Sequence, residues 1–344
     1  MGSPLRLTAV GRDADRAWSE VTDEFAEADI ALSRFRDDAE LVALDRSAGT
    51  GVARRVSRRL ERAVVAAERA RRVTRGGFDA RVLLDLERLG EHGADIDVDA
   101  SAAAVDDDRS WVDRPIARRL ARGFLSLDRP IDLGGIGKGL ALRWATARCE
   151  RLRLHSFLID AGGDIVVRGD APEAGPWQIG IEDPAAAQGS PLAVIGLAEG
   201  AIATSSISHR RWVHQGRRVH HLIDPITGQP ASGGLLAVTV VSRDPAWSEV
   251  WSKTLFLSGR RGIADEARRR GLAAWWVDDS GGLSMTAAAR SRTCWVRAEA
   301  EQDQRIAASA ASNSSGFGIL SPERAFVTAA GSAATDRRAG SSSG

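Results

Sequence analysis

The sequence predicts an α+β fold, and three features carry that expectation. Some segments repeat apolar residues at helical spacing, others are short apolar or alternating runs suited to strands, and the two kinds do not follow the strict strand-helix-strand rhythm of a parallel sheet. In chain order, ADRAWSEVTDEFAEADIAL (14–32) sets Trp18, Val21, Phe25, Ala28 and Leu32 on one helical face. A second helix is expected over roughly 57–74, closed by a glycine cap in GGFDA. Acidic residues between 95 and 108 mark an exposed connection, and GFLSLDRPIDLG (123–134) suggests one or two strands. An amphipathic helix follows the glycines of IDLGGIGKGLALRWATARCERL (131–152), and HSFLIDAGGDIVVRG (155–169) is expected to be two strands joined through a glycine pair. Strands continue in WQIGIEDP, LAVIGLAEGAIATSS and LLAVTVVSRD; AWSEVWSKTLFLSG and RGIADEARRRG are expected as helices, and AAWWVDD as a strand. Past residue 297 the chain turns to Ala, Ser and Gly, so residues 1–296 are expected to form a single domain and 297–344 a mobile tail.

At 344 residues, 43% hydrophobic and 27% charged, the chain has ample core to bury without staples. A formal net charge of +1 offers no electrostatic case for nucleic acid. Cys149 and Cys294 are isolated, which speaks against a disulfide framework or a cysteine zinc site. The N-terminus MGSPLRLTAVGRD has no apolar leader and no stretch reaches the length of a membrane span, so a cytosolic protein without membrane insertion is expected. Ten Trp, eight Phe and no Tyr leave Trp, Phe and His for any aromatic stacking.

One compositional bias points to chemistry. Of 47 basic residues only two, Lys138 and Lys253, are lysines. Lys138 lies in DLGGIGKG, where a strand, glycines and a helix start make either a tight turn or an anion cradle of backbone N–H groups. The Walker pattern fails, because Asp132 and Gly139 stand where Gly and Ser or Thr are needed. The spacing of Gly135, Gly137 and Gly139 also misses the dinucleotide fingerprint, which disfavours a nicotinamide dehydrogenase. A lysine here offers a compact point charge on a slim stem where a planar guanidinium would not fit. In HHLIDPITGQPA (220–231) a histidine beside a polar turn suits proton transfer near neutral pH. His209, His214, His220 and His221 cluster in sequence, but their spacing lacks the carboxylate partners of a metal site. Glu249 and Lys253 share a helical face: an ordinary pair if exposed, and one in need of a reason if the Trp-rich helix is buried.

In this order and spacing the motifs resemble those of the FAD:protein FMN transferases, the ApbE-like flavin transferase family, along residues 25–285. The similar stretches are ALSRFRDDAELVAL; GGFDARVLLDLERLG with Asp79 and Gly90; DLGGIGKG with Asp132, Gly134, Gly135 and Lys138; the Gly162, Gly163 and Asp164 turn; AIATSS with Thr204 and Ser205; and HHLIDPITG. The resemblance implies an α+β catalytic domain that binds FAD with magnesium. A Ser or Thr hydroxyl of a partner protein attacks the FMN phosphorus, and AMP leaves. It implies His221 as the base, Lys138 and the loop amides on the diphosphate, Asp79, Asp132, Gly163, Asp164, Thr204 and Ser205 around the cofactor, and Phe35 against a flavin or adenine ring. The family keeps Asp and, four residues on, Thr as magnesium ligands where this chain has Glu249 and Lys253. An ammonium cannot ligate a metal, so either Glu249 alone remains a ligand or Lys253 takes over part of the cation's work. Two other outcomes compatible with the same pocket are hydrolysis of FAD to FMN and AMP, and a non-catalytic flavin carrier. Asp224, Thr227 and Gly228 superficially approach the family's acceptor pattern, but they belong to its own turn motif, so the acceptor is expected on another chain.

Overall fold

A computed structural model describes residues 4–94, 109–186, 189–208 and 210–298. In chain order the elements are β1 (Leu5–Val10), α1 (Ala14–Leu32), α2 (Glu40–Asp45), β2 (Arg54–Arg55), α3 (Arg58–Thr74), α4 (Leu83–Arg88), β3 (Ala117–Ala121), β4 (Phe124–Leu127) and α5 (Gly137–Arg151). They continue with β5 (Ser156–Ala161), β6 (Asp164–Arg168), β7 (Trp177–Ile181), β8 (Ala193–Leu197), β9 (Gly200–Ser206), β10 (Arg211–His214), β11 (Arg217–His220) and β12 (Leu235–Ser242). Last come α6 (Pro245–Leu257), α7 (Gly259–Arg269), β13 (Ala273–Asp278), β14 (Leu283–Met285), α8 (Ala287–Arg290) and β15 (Thr293–Val296).

Seven strands form one antiparallel sheet in the order β1-β5-β6-β9-β12-β13-β14. Helices cover one face: Ala17 and Val21 of α1 and Leu142, Ala145 and Cys149 of α5 pack on Phe157, Ile159, Val166 and Ala201. Beside them Trp251, Leu255 and Phe256 of α6 and Ile263 of α7 pack on Val238, Val240 and Ala274. The small β15-β8-β7 sheet covers the opposite face, joining Ile179, Ile181 and Ile195 to Val167, Ile202, Val241 and Trp275. Burial on both faces explains why β12, LLAVTVVS, is nearly continuous in apolar residues rather than alternating.

The expected helices and strands form, with differences of detail. The second helix ends on Arg75, itself left-handed at φ 55°, with Gly76 following at φ 83°; the glycine is one residue beyond the cap. GFLSLDRPIDLG contributes one strand, β4, because Asp132 and Gly134 begin the turn into α5. The edge strand β1 and the β10-β11 hairpin are short and partly exposed, and the hairpin strands RWVH and RRVH hold three arginines. The acidic connection lies largely outside the described residues, as does the tail apart from Arg297 and Ala298. No helix among the described residues is long and apolar enough to cross a membrane.

Candidate active site

The start of α5 is placed by a contact only glycine permits. A Cβ at Gly139 would lie 2.5 Å from Ala246 Cα and 2.6 Å from the Pro245 carbonyl oxygen, so the first turns of α5 and α6 touch backbone to backbone. Asp244 caps α6, accepting from the Ala246 and Trp247 N–H groups at 3.0 and 3.3 Å, with Pro245 in the first turn. One turn further on, Glu249 is buried at 1% exposure, and its Oε2 accepts from the Gly139 N–H at 2.8 Å. Glu249 therefore satisfies an orphan donor at the N-terminus of a different helix, where the helix dipole favours negative charge. Its other oxygen, Oε1, accepts from Lys253 Nζ at 3.3 Å. Burying a carboxylate costs several kcal/mol, and burial does push the Glu249 carboxyl above its ordinary range. Lys253, Lys138 and the Gly139 N–H work against that shift, while Asp164 adds to it.

The Gly162-Gly163 turn, left-handed at φ 67° and 89°, brings Asp164 onto Lys138, and the two form an ion pair. Asp164 Oδ1 also accepts from the Thr204 N–H at 3.3 Å. Burial would lower the Lys138 ammonium, but Asp164 and Glu249 outweigh it and hold the group above its ordinary range. In the loop before α5, Asp132 Oδ1 accepts from the Gly134 N–H at 2.7 Å, while Arg34 Nε approaches the same oxygen at 3.7 Å. Arg34 continues to Glu91 at 3.5 Å, and Glu91 in turn pairs with Arg210.

His221 Nδ1 lies 3.3 Å from the Arg210 carbonyl oxygen. A carbonyl only accepts, so this contact puts the proton on Nδ1 and leaves the lone pair on Nε2. Burial, then the Arg210 and Lys253 cations, push His221 well below the usual histidine range, so the ring is neutral at pH 7. Adjacent His220 has a structural part: its Nε2 is 2.9 Å from the Ala231 carbonyl oxygen and its ring meets the edge of Phe256.

These groups converge. Asp79, Asp132, Gly134, Gly135, His221 and Lys253 line one cavity of about 60 Å³, together with Phe78 and Arg210. That is room for about two waters, far below the roughly 300 Å³ of a small ligand pocket. It adjoins a groove of about 600 Å³, sharing Gly77, Pro225 and Leu257 with it. Lys138, Asp164 and Glu249 join through their ion pairs, and Thr204 through Asp164. Three of the expected residues make other contacts as well. Phe35 is 60% exposed, with the Arg34 guanidinium 4.2 Å over its ring, and is not part of the cavity lining. Ser205 is buried and hydrogen-bonded to Ser252 Oγ at 2.8 Å, a strut between β9 and α6. Asp79 is held by Arg81 through Nε at 2.9 Å and Nη2 at 2.6 Å. Arg34 and Arg210 escaped sequence reasoning because arginine is everywhere in this chain; Phe78 lay inside the quoted GGFDA and could have been found there.

A sequence profile described as the ApbE family matches residues 1–276. The chain belongs to the ApbE family. It is 27% identical over 291 residues to an FAD:protein FMN transferase of Klebsiella pneumoniae, covering 82% of this chain and 83% of that one. The Salmonella typhimurium protein of the same name is 26% identical over 291 residues, with the same coverage. Among solved structures, the ApbE protein of Thermotoga maritima superposes with a TM-score of 0.73 at 22% identity, covering 85% of this chain and 96% of its own. The flavinyl transferase ApbE of Pseudomonas stutzeri gives 0.71 at 24% identity, covering 85% and 94%. These neighbours share the fold of helices against a mixed set of sheets.

The magnesium that the family resemblance implies does not fit the residues present. Magnesium asks for oxygen ligands in near-octahedral array at about 2.0–2.1 Å. Here both oxygens of Glu249 are engaged, one by an amide and one by an ammonium that would repel a cation. No group of three or more His, Cys, Asp or Glu suited to a metal ion occurs among the described residues. His214, His220 and His221 belong to no such group among the described residues; His209 lies outside them.

Proposed function

We propose that this chain transfers the FMN half of FAD to a Ser or Thr hydroxyl of a partner protein and releases AMP. The observation that carries this reading is the meeting of a neutral histidine, its Nε2 lone pair left uncommitted, with the Lys253 ammonium on the wall of one cavity. The names of the related proteins from Klebsiella and Salmonella support it. The acceptor oxygen attacks the FMN phosphorus and forms a new P–O bond. The bond from that phosphorus to the bridging oxygen breaks, and its electron pair leaves with AMP. The hydroxyl proton passes to His221 Nε2. Lys138 and Lys253 offset the charge that develops on the phosphoryl oxygens and the leaving phosphate; the Gly134, Ile136, Gly137 and Gly139 amides are already donated within the protein. Asp164 and Glu249 orient the two ammonium groups. The groove beside the cavity is assigned to the remainder of the nucleotide.

Incubation with FAD and a peptide carrying Asp-x-x-Ser/Thr-Gly-Ala-Ser/Thr tests the reading, with peptide mass and AMP both followed. A mass gain equal to FMN less one water, with matching AMP, is expected. AMP without a modified peptide means hydrolysis, and a yellow protein that releases nothing means a carrier; either outcome overturns transfer.

A further inference from the structure

We propose that Lys253 is the fixed cation of this site and that the chain grips the diphosphate of FAD with no resident divalent metal. The inference rests on FAD being the substrate and goes further in naming what neutralises it.

Three observations carry it. First, the only two lysines among 47 basic residues both lie here: each pairs with a buried carboxylate, and both act electrostatically on Glu249. Second, the Lys253 stem is packed. A Cβ at Gly135 would come within 3.4 and 3.5 Å of Lys253 Cδ and Cε and 2.8 Å of the Phe78 ring, so the four-carbon stem runs through a slot between the glycine loop and α6. A planar guanidinium is wider and more rigid than this slot favours. Third, the ammonium has donors to spare. Glu249 Oε1 is its one hydrogen-bond partner among the described residues, and an ammonium carries three N–H donors. Two therefore remain for phosphate oxygens at the cavity wall, beside His221.

Glu249 completes the arrangement. Its Oε2 is anchored by the Gly139 amide, so Oε1 holds the ammonium in place and is not open to a metal ion. Lys253 takes no part in the bond exchange. A tethered charge cannot be chelated away, which sets the prediction apart from metal-held catalysis.

The test is FAD affinity by fluorescence titration in EDTA and in millimolar magnesium chloride. Wild-type Kd is expected to agree within twofold in the two buffers. Lys253→Met keeps the stem without the charge and is expected to weaken binding at least tenfold in both buffers. Lys253→Thr places an oxygen beside Glu249 and is expected to weaken binding at least tenfold in EDTA and to recover in part with magnesium. Circular dichroism checks that both variants fold, and the wild-type comparison needs neither. A tenfold or greater loss of wild-type affinity on chelation overturns the proposal, as does full affinity of folded Lys253→Met in EDTA. If FAD binds in this chelator-insensitive, Lys253-dependent way but no peptide is modified, the transfer reading falls and the fixed cation stands.

Discussion

His221 shows how much at this site depends on a single residue's surroundings. Its neutral state follows from burial and two neighbouring cations, and its free nitrogen from one carbonyl contact. The group must be unprotonated to act as a base, and its folded pKa lies well below 6.5. The transfer rate is therefore expected to be flat from about pH 6.5 upward on this group's account, with an acid limb whose midpoint lies below 6.5. A midpoint above 6.5 in a pH profile of kcat/KM would count against His221. The same shift acts on stability: the unfolded chain takes up this proton more readily than the folded one. Stability is thus present above the unfolded value and is lost as pH falls through the folded one. His221→Asn is expected to lower kcat about 10²- to 10⁴-fold while leaving FAD affinity within a few fold, by turnover and titration side by side.

At the scale of elements, the crossing of α5 and α6 does the positioning. Gly139 lets the two backbones meet, and that meeting puts the Gly139 N–H on Glu249 and Lys253 beside Gly135. Gly139→Ala must push Ala246 and Pro245 away, an overpacking that costs about 1–3 kcal/mol. The thermal midpoint is expected to fall by several degrees, and FAD affinity to fall with it as Glu249 loses its amide. A scan and a titration of the same sample check both, and an unchanged midpoint would show that the helices part without cost. The elements themselves were legible where helical periodicity or an apolar run was strong, as in α1, β5, β6 and β12. They were not legible in the short edge strand β1 or in the β10-β11 hairpin, where exposed Arg211, Arg217 and Arg218 break the apolar pattern.

For the whole molecule, the seven-stranded sheet is sandwiched between helices and a three-stranded sheet whose outer strand, β15, is the last strand described. Just beyond it Arg297 bonds to Asp183 at 2.8 Å, fastening this end of the chain to the loop after β7. A chain ended after residue 298 is expected to melt within about 2 °C of full length and to bind FAD equally well. One ended after residue 291 removes β15, uncovers Ala193 and Ile195, and is expected to melt several degrees lower. Differential scanning calorimetry compares the three, and a large loss at 298 would show that the expected boundary near 297 is misplaced.

The amino-acid sequence by itself determined the mixed helix and strand class, the order of the main elements and the stretches where chemistry gathers: DLGGIGKG, Gly-Gly-Asp, HHLIDPITG and the helix with Lys253. Such features depend on neighbours a few residues apart, which a linear pattern records. Only the tertiary structure decided which groups meet. It gave Glu249 to an amide 110 residues away, turned Ser205 into a strut for α6, set Phe35 outside the cavity and brought Arg34 and Arg210 to its edge. Hydrogen bonds and ion pairs act over a few ångströms of space, and the distance between two side chains is set by how helices and sheets pack, which no local spacing records.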